Sequence, residues 1–224
     1  MSRLTSKPPG GEWSLDNVQH LHLWGVSWEG YEHLLGQARD RRLQITYDRG
    51  ELEIMSPLPE HEIGKRTLGR LVEELAEELD VPLGALGSTT FKSKAKLRGL
   101  EPDECFYLRN REKVRGKKRI NLQKDPPPDL VIEIDVTSRS IARLPIYASF
   151  AVPEIWRYDT KSIVCYRLDA RGEYEAVTHS GVFPMLRPAD LLKFVRQAEK
   201  SLDHTAVVKS FKQWMRKQGW TKST

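Results

Sequence analysis

Two groups of carboxylates flank segments that otherwise read as buried strands. Glu101-Pro102-Asp103-Glu104 opens the strand-like run through Cys105-Phe106-Tyr107-Leu108, and Glu133-Ile134-Asp135 ends the run Asp129-Leu130-Val131-Ile132. Residues two apart in a strand point the same way, so Glu133 and Asp135 share a face. Burying a carboxylate is costly unless it is paired or bound to a cation. Oxygen-only clusters without Cys or His suit Mg²⁺ or Mn²⁺, and Mg²⁺ usually takes one or two carboxylates with waters and phosphate oxygens. Such an arrangement serves phosphodiester hydrolysis, in which the metal activates water and neutralises charge on the phosphate. A single acid at a strand end is more simply a solvated or salt-bridged residue. Glu133 is the hardest to read so, because it follows Leu130-Val131-Ile132 without a break; Asp103 and Asp135 rank behind it.

Other polar groups have plainer readings. His61 is a helix-terminus histidine, Glu62 favours the dipole of the same helix, and Asp129 after three prolines is a turn residue. Residues 109–119 hold seven cations (Arg109, Arg111, Lys113, Arg115, Lys117, Lys118 and Arg119) against one acid. A charge run is ordinarily a solvated loop, and no aromatics are interleaved here as stacking platforms. Its place between Asp103 and Glu133 nevertheless suggests that both flanking strands deliver it to the site, where it would contact phosphates without regard to sequence.

The elements that must position these residues follow from periodicity. Residues 29–35 form a weak, glycine-containing helix. Residues 43–47 and 51–55 alternate apolar and polar residues around Asp48-Arg49-Gly50, which makes a hairpin with one buried face. Leu68, Leu71, Val72, Leu75, Ala76 and Leu79 repeat at helical spacing within residues 59–79, and His61 and Glu62 fall in the first turn of that helix. Residues 130–134 read as a central strand buried on both faces. Ser138 is a candidate N-cap for a helix reaching about residue 151, with Pro145 bending or shortening it. Strands follow at 154–158 and 163–168, with Trp156, Tyr158 and Tyr166 as core or sheet-face residues. Helices at about 188–201 and 205–218 close the chain, and Val207, Val208, Phe211, Trp214 and Met215 form a stripe suited to a core or a homodimer contact. The sum is an α/β or α+β domain with a mixed sheet.

With 224 residues, one domain is expected over two. The net charge of +5, spread over a chain that is 30% charged, speaks for solubility more than for a partner. A mean hydropathy of −0.55 leaves no apolar run fit to span a membrane. Cys105 and Cys165 show neither zinc spacing nor a disulfide pattern. The first residues lack the apolar core of a signal peptide, so the expectation is a cytoplasmic protein with a disordered leader over residues 1–13.

Pro128-Asp129-Leu130-Val131-Ile132-Glu133-Ile134, then Ile146-Tyr147-Ala148 and Val152-Pro153-Glu154-Ile155-Trp156, resemble the Uma-type (DUF820-like) family of restriction endonucleases. Met55-Ser56-Pro57 with His61, and Glu101-Pro102-Asp103, match upstream blocks of that family. The resemblance spans roughly residues 27–192 and places the chain in the PD-(D/E)xK nuclease superfamily. It implies a restriction-endonuclease-like core over residues 14–192, a mixed β-sheet flanked by helices, with residues 193–224 as a C-terminal helical extension. It further implies Mg²⁺- or Mn²⁺-dependent cleavage of nucleic acid, DNA before RNA. By position, Asp103 matches the first metal-binding acid and Glu133 the second. Where the superfamily's lysine would stand two residues after that acid, the chain has Asp135; the family's alternative lysine position, on the next helix, holds Arg143. Arginine keeps the charge but does not deprotonate, so it could stabilise a pentacovalent phosphate or orient hydroxide without acting as a base. Asp135 or His61 would assist.

Two other functions compete with an endonuclease. One is a nucleic-acid-binding protein that kept the fold and lost turnover. The other is a two-carboxylate glycoside hydrolase, disfavoured because the six tryptophans do not cluster near the acids in the sequence.

Overall fold

The computed structural model describes residues 20–38, 43–135 and 141–220. In chain order the elements are β1 (His20–Leu23), α1 (Trp28–Gln37), β2 (Gln44–Asp48), β3 (Glu51–Met55), α2 (Pro59–Glu78), β4 (Gly84–Ala85), β5 (Phe91–Ser93), β6 (Arg98–Leu100), β7 (Glu104–Tyr107), α3 (Arg111–Val114), β8 (Leu130–Ile134), α4 (Leu144–Ser149), β9 (Glu154–Tyr158), β10 (Ile163–Leu168), β11 (Tyr174–Val177), α5 (Leu192–Ser201) and α6 (His204–Lys217). The strands form two sheets rather than the one expected. A five-stranded antiparallel sheet runs β1-β3-β2-β6-β5, and a six-stranded mixed sheet runs β11-β10-β9-β8-β7-β4 with β8 and β9 parallel. The hairpin β2–β3 turns at Arg49 and Gly50, both at positive φ, as a two-residue hairpin turn requires. It joins the first sheet because its buried face is covered by α1: Tyr31 stacks on Tyr47 at 4.8 Å. The fit is close, since a Cβ on Gly99 of β6 would lie 2.2 Å from the Tyr31 hydroxyl.

Strand β8 shows why the second sheet is mixed. All five of its residues are buried, and its two faces belong to different cores. Leu130, Ile132 and Ile134 pack with Leu68, Leu71 and Leu75 of α2 and with Phe194, Phe211 and Met215 of α5 and α6. Val131 faces the other way, with Ile146 and Tyr147 of α4, Phe91 and Ile155. The parallel β8·β9 pair needs a covered crossover, and α4 lies on it. Val207, Phe211 and Met215 of the closing helix are therefore core, with Trp214 packed partly buried against them, and the helices at the end of the chain share the α2 core. Trp156 and Tyr158 belong to that same core, while Tyr166 packs partly buried on the α4 side.

Two local expectations differ. Helix α4 begins at Leu144 with Arg143 as its N-cap residue and Pro145 in its first turn, where a missing N–H is harmless, so the proline starts the helix and does not bend it. Ser138 and residues 1–13 lie outside the described residues. The basic run is not all loop, since residues 111–114 form the short helix α3. Both cysteines are free and buried. No helix among the described residues is long and apolar enough to cross a membrane.

Candidate active site

The antiparallel β7·β8 register pairs Glu104 with Ile132 and Cys105 with Val131, so one further step sets Asp103 opposite Glu133. Both therefore belong to the α4 face of the six-stranded sheet, at the C-terminal end of β8. Asp103 is fully buried and its oxygens are held from three directions. Its Oδ2 accepts the backbone N–H of Ile134 at 2.7 Å, Gln44 of β2 donates its side-chain amide to Oδ1, and His61 Nε2 lies 3.0 Å from Oδ1. Helix α2 brings His61 here because its N-terminal turn sits over the same sheet end. Glu62 points away, half exposed, 3.7 Å from the other ring nitrogen.

Glu133 is 4% exposed. Arg143 places Nη1 at 2.8 Å from its Oε2, and Tyr147, one turn later on α4, donates its hydroxyl to Oε1. The Arg143 Nη2 reaches the backbone carbonyl of Glu101 and lies 3.4 Å from the Tyr147 hydroxyl, and the guanidinium stands over the Tyr147 ring. Burial opposes the charge of Arg143, but Glu133, Tyr147, Asp103 and Asp135 outweigh it and hold the guanidinium above its usual range. Burial, with Glu133 adding to it, pushes the Tyr147 phenol well up, so it remains a proton donor. Asp135, two residues beyond Glu133 and acting electrostatically on Arg143, pairs with Arg157 of β9.

Tyr147 is the member that sequence reasoning passed over, except as part of a family block. The i, i+4 spacing of Arg143 and Tyr147 was the available signal, since it puts both on one helix face. Tyr147→Phe removes one hydrogen bond to a charged carboxylate, and such bonds contribute about 1.5–3 kcal/mol. Urea unfolding should show a loss in that range at unchanged m-value; a loss under about 0.5 kcal/mol would mean that the hydroxyl does not hold Glu133.

The basic run is delivered differently from expectation. Because β7 and β8 are antiparallel, the residues that flank the run, Leu108 and Asp129, lie at the far end of the sheet from Asp103 and Glu133. Asp129 there accepts the backbone N–H groups of Leu108 and Asn110, the turn role expected of it. Arg111 and Arg115 pair with Glu112, Lys113 bonds Asn110, Lys117 pairs with Asp125, and Arg109 donates to the Gly181 carbonyl. Only as the chain returns do Lys118 and Arg119 come to line a pocket shared with Glu101.

Burial raises the Glu101 carboxyl above the usual range, against the opposing pull of Thr90, Arg143 and Lys65. The folded chain thus binds this proton more tightly than the unfolded chain. Glu101 consequently costs stability at high pH, and the cost disappears as pH falls through the raised value to the ordinary one. Glu101→Gln should raise the melting temperature near pH 8 and leave it nearly unchanged near about pH 4, below the ordinary carboxylate value. Equal shifts at both pH values would show that the charge is not the cause.

Among the described residues no group of three or more His, Cys, Asp or Glu could hold a metal. The two carboxylates that the family resemblance matches to metal ligands, Asp103 and Glu133, are a number and type of group that suit Mg²⁺ together with water and phosphate oxygens.

Comparison with known proteins bears on the same region. A chain from Anabaena variabilis, described as a "putative nuclease belonging to DUF820", is similar in structure at 14% identity with a TM-score of 0.45, over 67% of this chain and 90% of that one. No curated protein matches the sequence. The model of the family described as "Uma2: Putative restriction endonuclease" matches residues 28–199, which include β7, β8, α2 and α4 and so every residue of the acid cluster. By that match the chain belongs to the Uma2 restriction endonuclease family.

Proposed function

We propose that the chain is a metal-dependent endonuclease hydrolysing phosphodiester bonds of nucleic acid, DNA first. The observation that supports this most is the register that sets Asp103 opposite Glu133, with the buried Arg143 closed onto Glu133. Stability does not account for such a cluster: replacing a buried ion pair by well-packed apolar residues is often neutral or stabilising by about 1–4 kcal/mol. Strongly perturbed, desolvated charges on a sheet end are what chemistry on a charged substrate requires.

Asp103 and Glu133 would hold Mg²⁺ or Mn²⁺, and the ion would supply an activated water and neutralise charge on the scissile phosphate. The chain's own residues do the rest. Gln44, His61 and the Ile134 N–H orient Asp103, and Tyr147 orients Glu133. Arg143 stays charged at every working pH and stabilises the extra negative charge of a pentacovalent phosphate without taking a proton. Asp135 fixes Arg157 beside the site as a second cation.

One observation favours a second reading, a nucleic-acid-binding protein that kept the fold without turnover: the Arg143 ion pair already neutralises Glu133. The two are separated by incubating the protein with plasmid and single-stranded nucleic acid in Mg²⁺, Mn²⁺ or EDTA. The nuclease reading expects products with either metal and none in EDTA. Binding without products in any metal supports the second reading, and neither binding nor cleavage overturns both.

A further inference from the structure

On the other side of Glu101 from Arg143 lies a pocket of about 550 Å³ between α1, the five-stranded sheet and the returning end of the basic run. Leu35, Ile45 and Ile120 give it apolar walls; Thr90, Glu101, Lys118 and Arg119 give it polar groups. It adjoins the acid cluster through two residues. The Glu101 carbonyl receives Arg143 while its carboxyl accepts from Thr90 at 2.6 Å, and Ile45 follows Gln44, which holds Asp103.

The charges divide unevenly. Five of the seven cations in the run are engaged by the chain's own acceptors, as described above. Lys118 and Arg119 are exposed and have no ion-pair partner among the described residues. The third cation on the wall, Lys92, is closed onto Glu32 at 2.7 Å. The pocket therefore combines two cations with no ion-pair partner among the described residues, apolar walls and a buried acid with a neighbouring hydroxyl. That combination fits an anion attached to a flat, largely apolar group with a hydrogen-bonding edge.

We infer that the pocket takes one nucleotide unit, with its phosphate at Lys118 and Arg119, its base between Leu35, Ile45 and Ile120, and the base edge at Glu101 and Thr90. The unit is a nucleotide splayed out of a strand or a free nucleoside phosphate. The nuclease reading favours the strand, one nucleotide of which would leave its stack as the strand binds. The strand source rests on the nuclease reading; the pocket chemistry does not.

The test uses the full chain and two arms. A nucleoside 5′-monophosphate is titrated in one, and in the other duplex and single strands carry 2-aminopurine, which brightens on leaving its stack, at successive positions. The variants are Lys118→Ser/Arg119→Ser and Gly36→Trp. Gly36 lies on the pocket wall, and a Cβ added there meets nothing within 4 Å, so a bulky side chain can be placed at that wall without crowding the core. Monophosphate binding should weaken at least about tenfold in each variant, as loss of charge-assisted contacts or of the pocket itself predicts. In the strand arm one position should brighten severalfold in the unmodified chain and not in Gly36→Trp. The log–log salt slope on single strands should flatten by about 1.4 in the double variant. Monophosphate binding without strand binding or cleavage would support the pocket and remove the nuclease reading. Cleavage with no monophosphate binding, or binding unchanged in a folded Gly36→Trp, would overturn the pocket and leave the nuclease reading standing.

Discussion

Glu133→Gln should stop cleavage and weaken the fold at once. Loss of an outer-shell partner typically costs 10–100-fold in metal affinity or activity, and removal of a ligand charge itself should exceed about 100-fold. The carboxylate is also the counter-charge of Arg143, which is 7% exposed. Removing one partner of a buried ion pair costs about 3–5 kcal/mol, because the other charge stays buried. A neutral amide keeps an acceptor for the Tyr147 hydroxyl, so the lower end of that range is expected. Calorimetry should show Mn²⁺ binding to the unmodified chain and none to the variant. Since lost folding could imitate lost catalysis, both chains are assayed well below the variant's melting temperature. Glu133→Gln with full activity, or with unchanged Mn²⁺ affinity, would remove Glu133 from the mechanism.

Arg143 divides its donors among three acceptors, so its variants should separate charge from geometry. Arg143→Ala leaves Glu133 without its guanidinium in an enclosed site, and a loss of about 3–5 kcal/mol follows. Arg143→Lys restores the charge but has a single ammonium for the Glu133 carboxylate, the Glu101 carbonyl and the Tyr147 hydroxyl. It should recover most of the stability and should retain or raise cleavage, since lysine is the residue that the family resemblance implies at this position. Arg143→Ala should lower the rate at temperatures where it remains folded. Equal rates for Arg, Lys and Ala would take Arg143 out of the chemistry and leave it the structural partner of Glu133.

The local sequence determined the pieces of this protein. Alternation around Asp48-Arg49-Gly50 is enough for the hairpin, and the Leu and Val spacing in α2 is enough for an amphipathic helix with His61 in its first turn, because both patterns depend on neighbours within a few residues. The apolar run before Glu133 marked a central strand, and Glu133 inside it was legible as an acid that had to find a cation. What covers each face of that strand was not legible. Periodicity does not name the partner, and only the packing of α2 on one side and α4 on the other put Glu133, and not Ile134, beside Arg143 and Tyr147. The division into two sheets, the antiparallel β7·β8 register that sets Asp103 across from Glu133, and the fate of the basic run were likewise decided in three dimensions. That run lies between the two acids in sequence, yet an antiparallel pair returns the intervening chain at the opposite end of its strands. Tertiary structure thus separated Lys118 and Arg119 from the five cations that the chain's own acceptors engage. Contacts between residues ten or more positions apart made these choices, and local pattern carries no record of them.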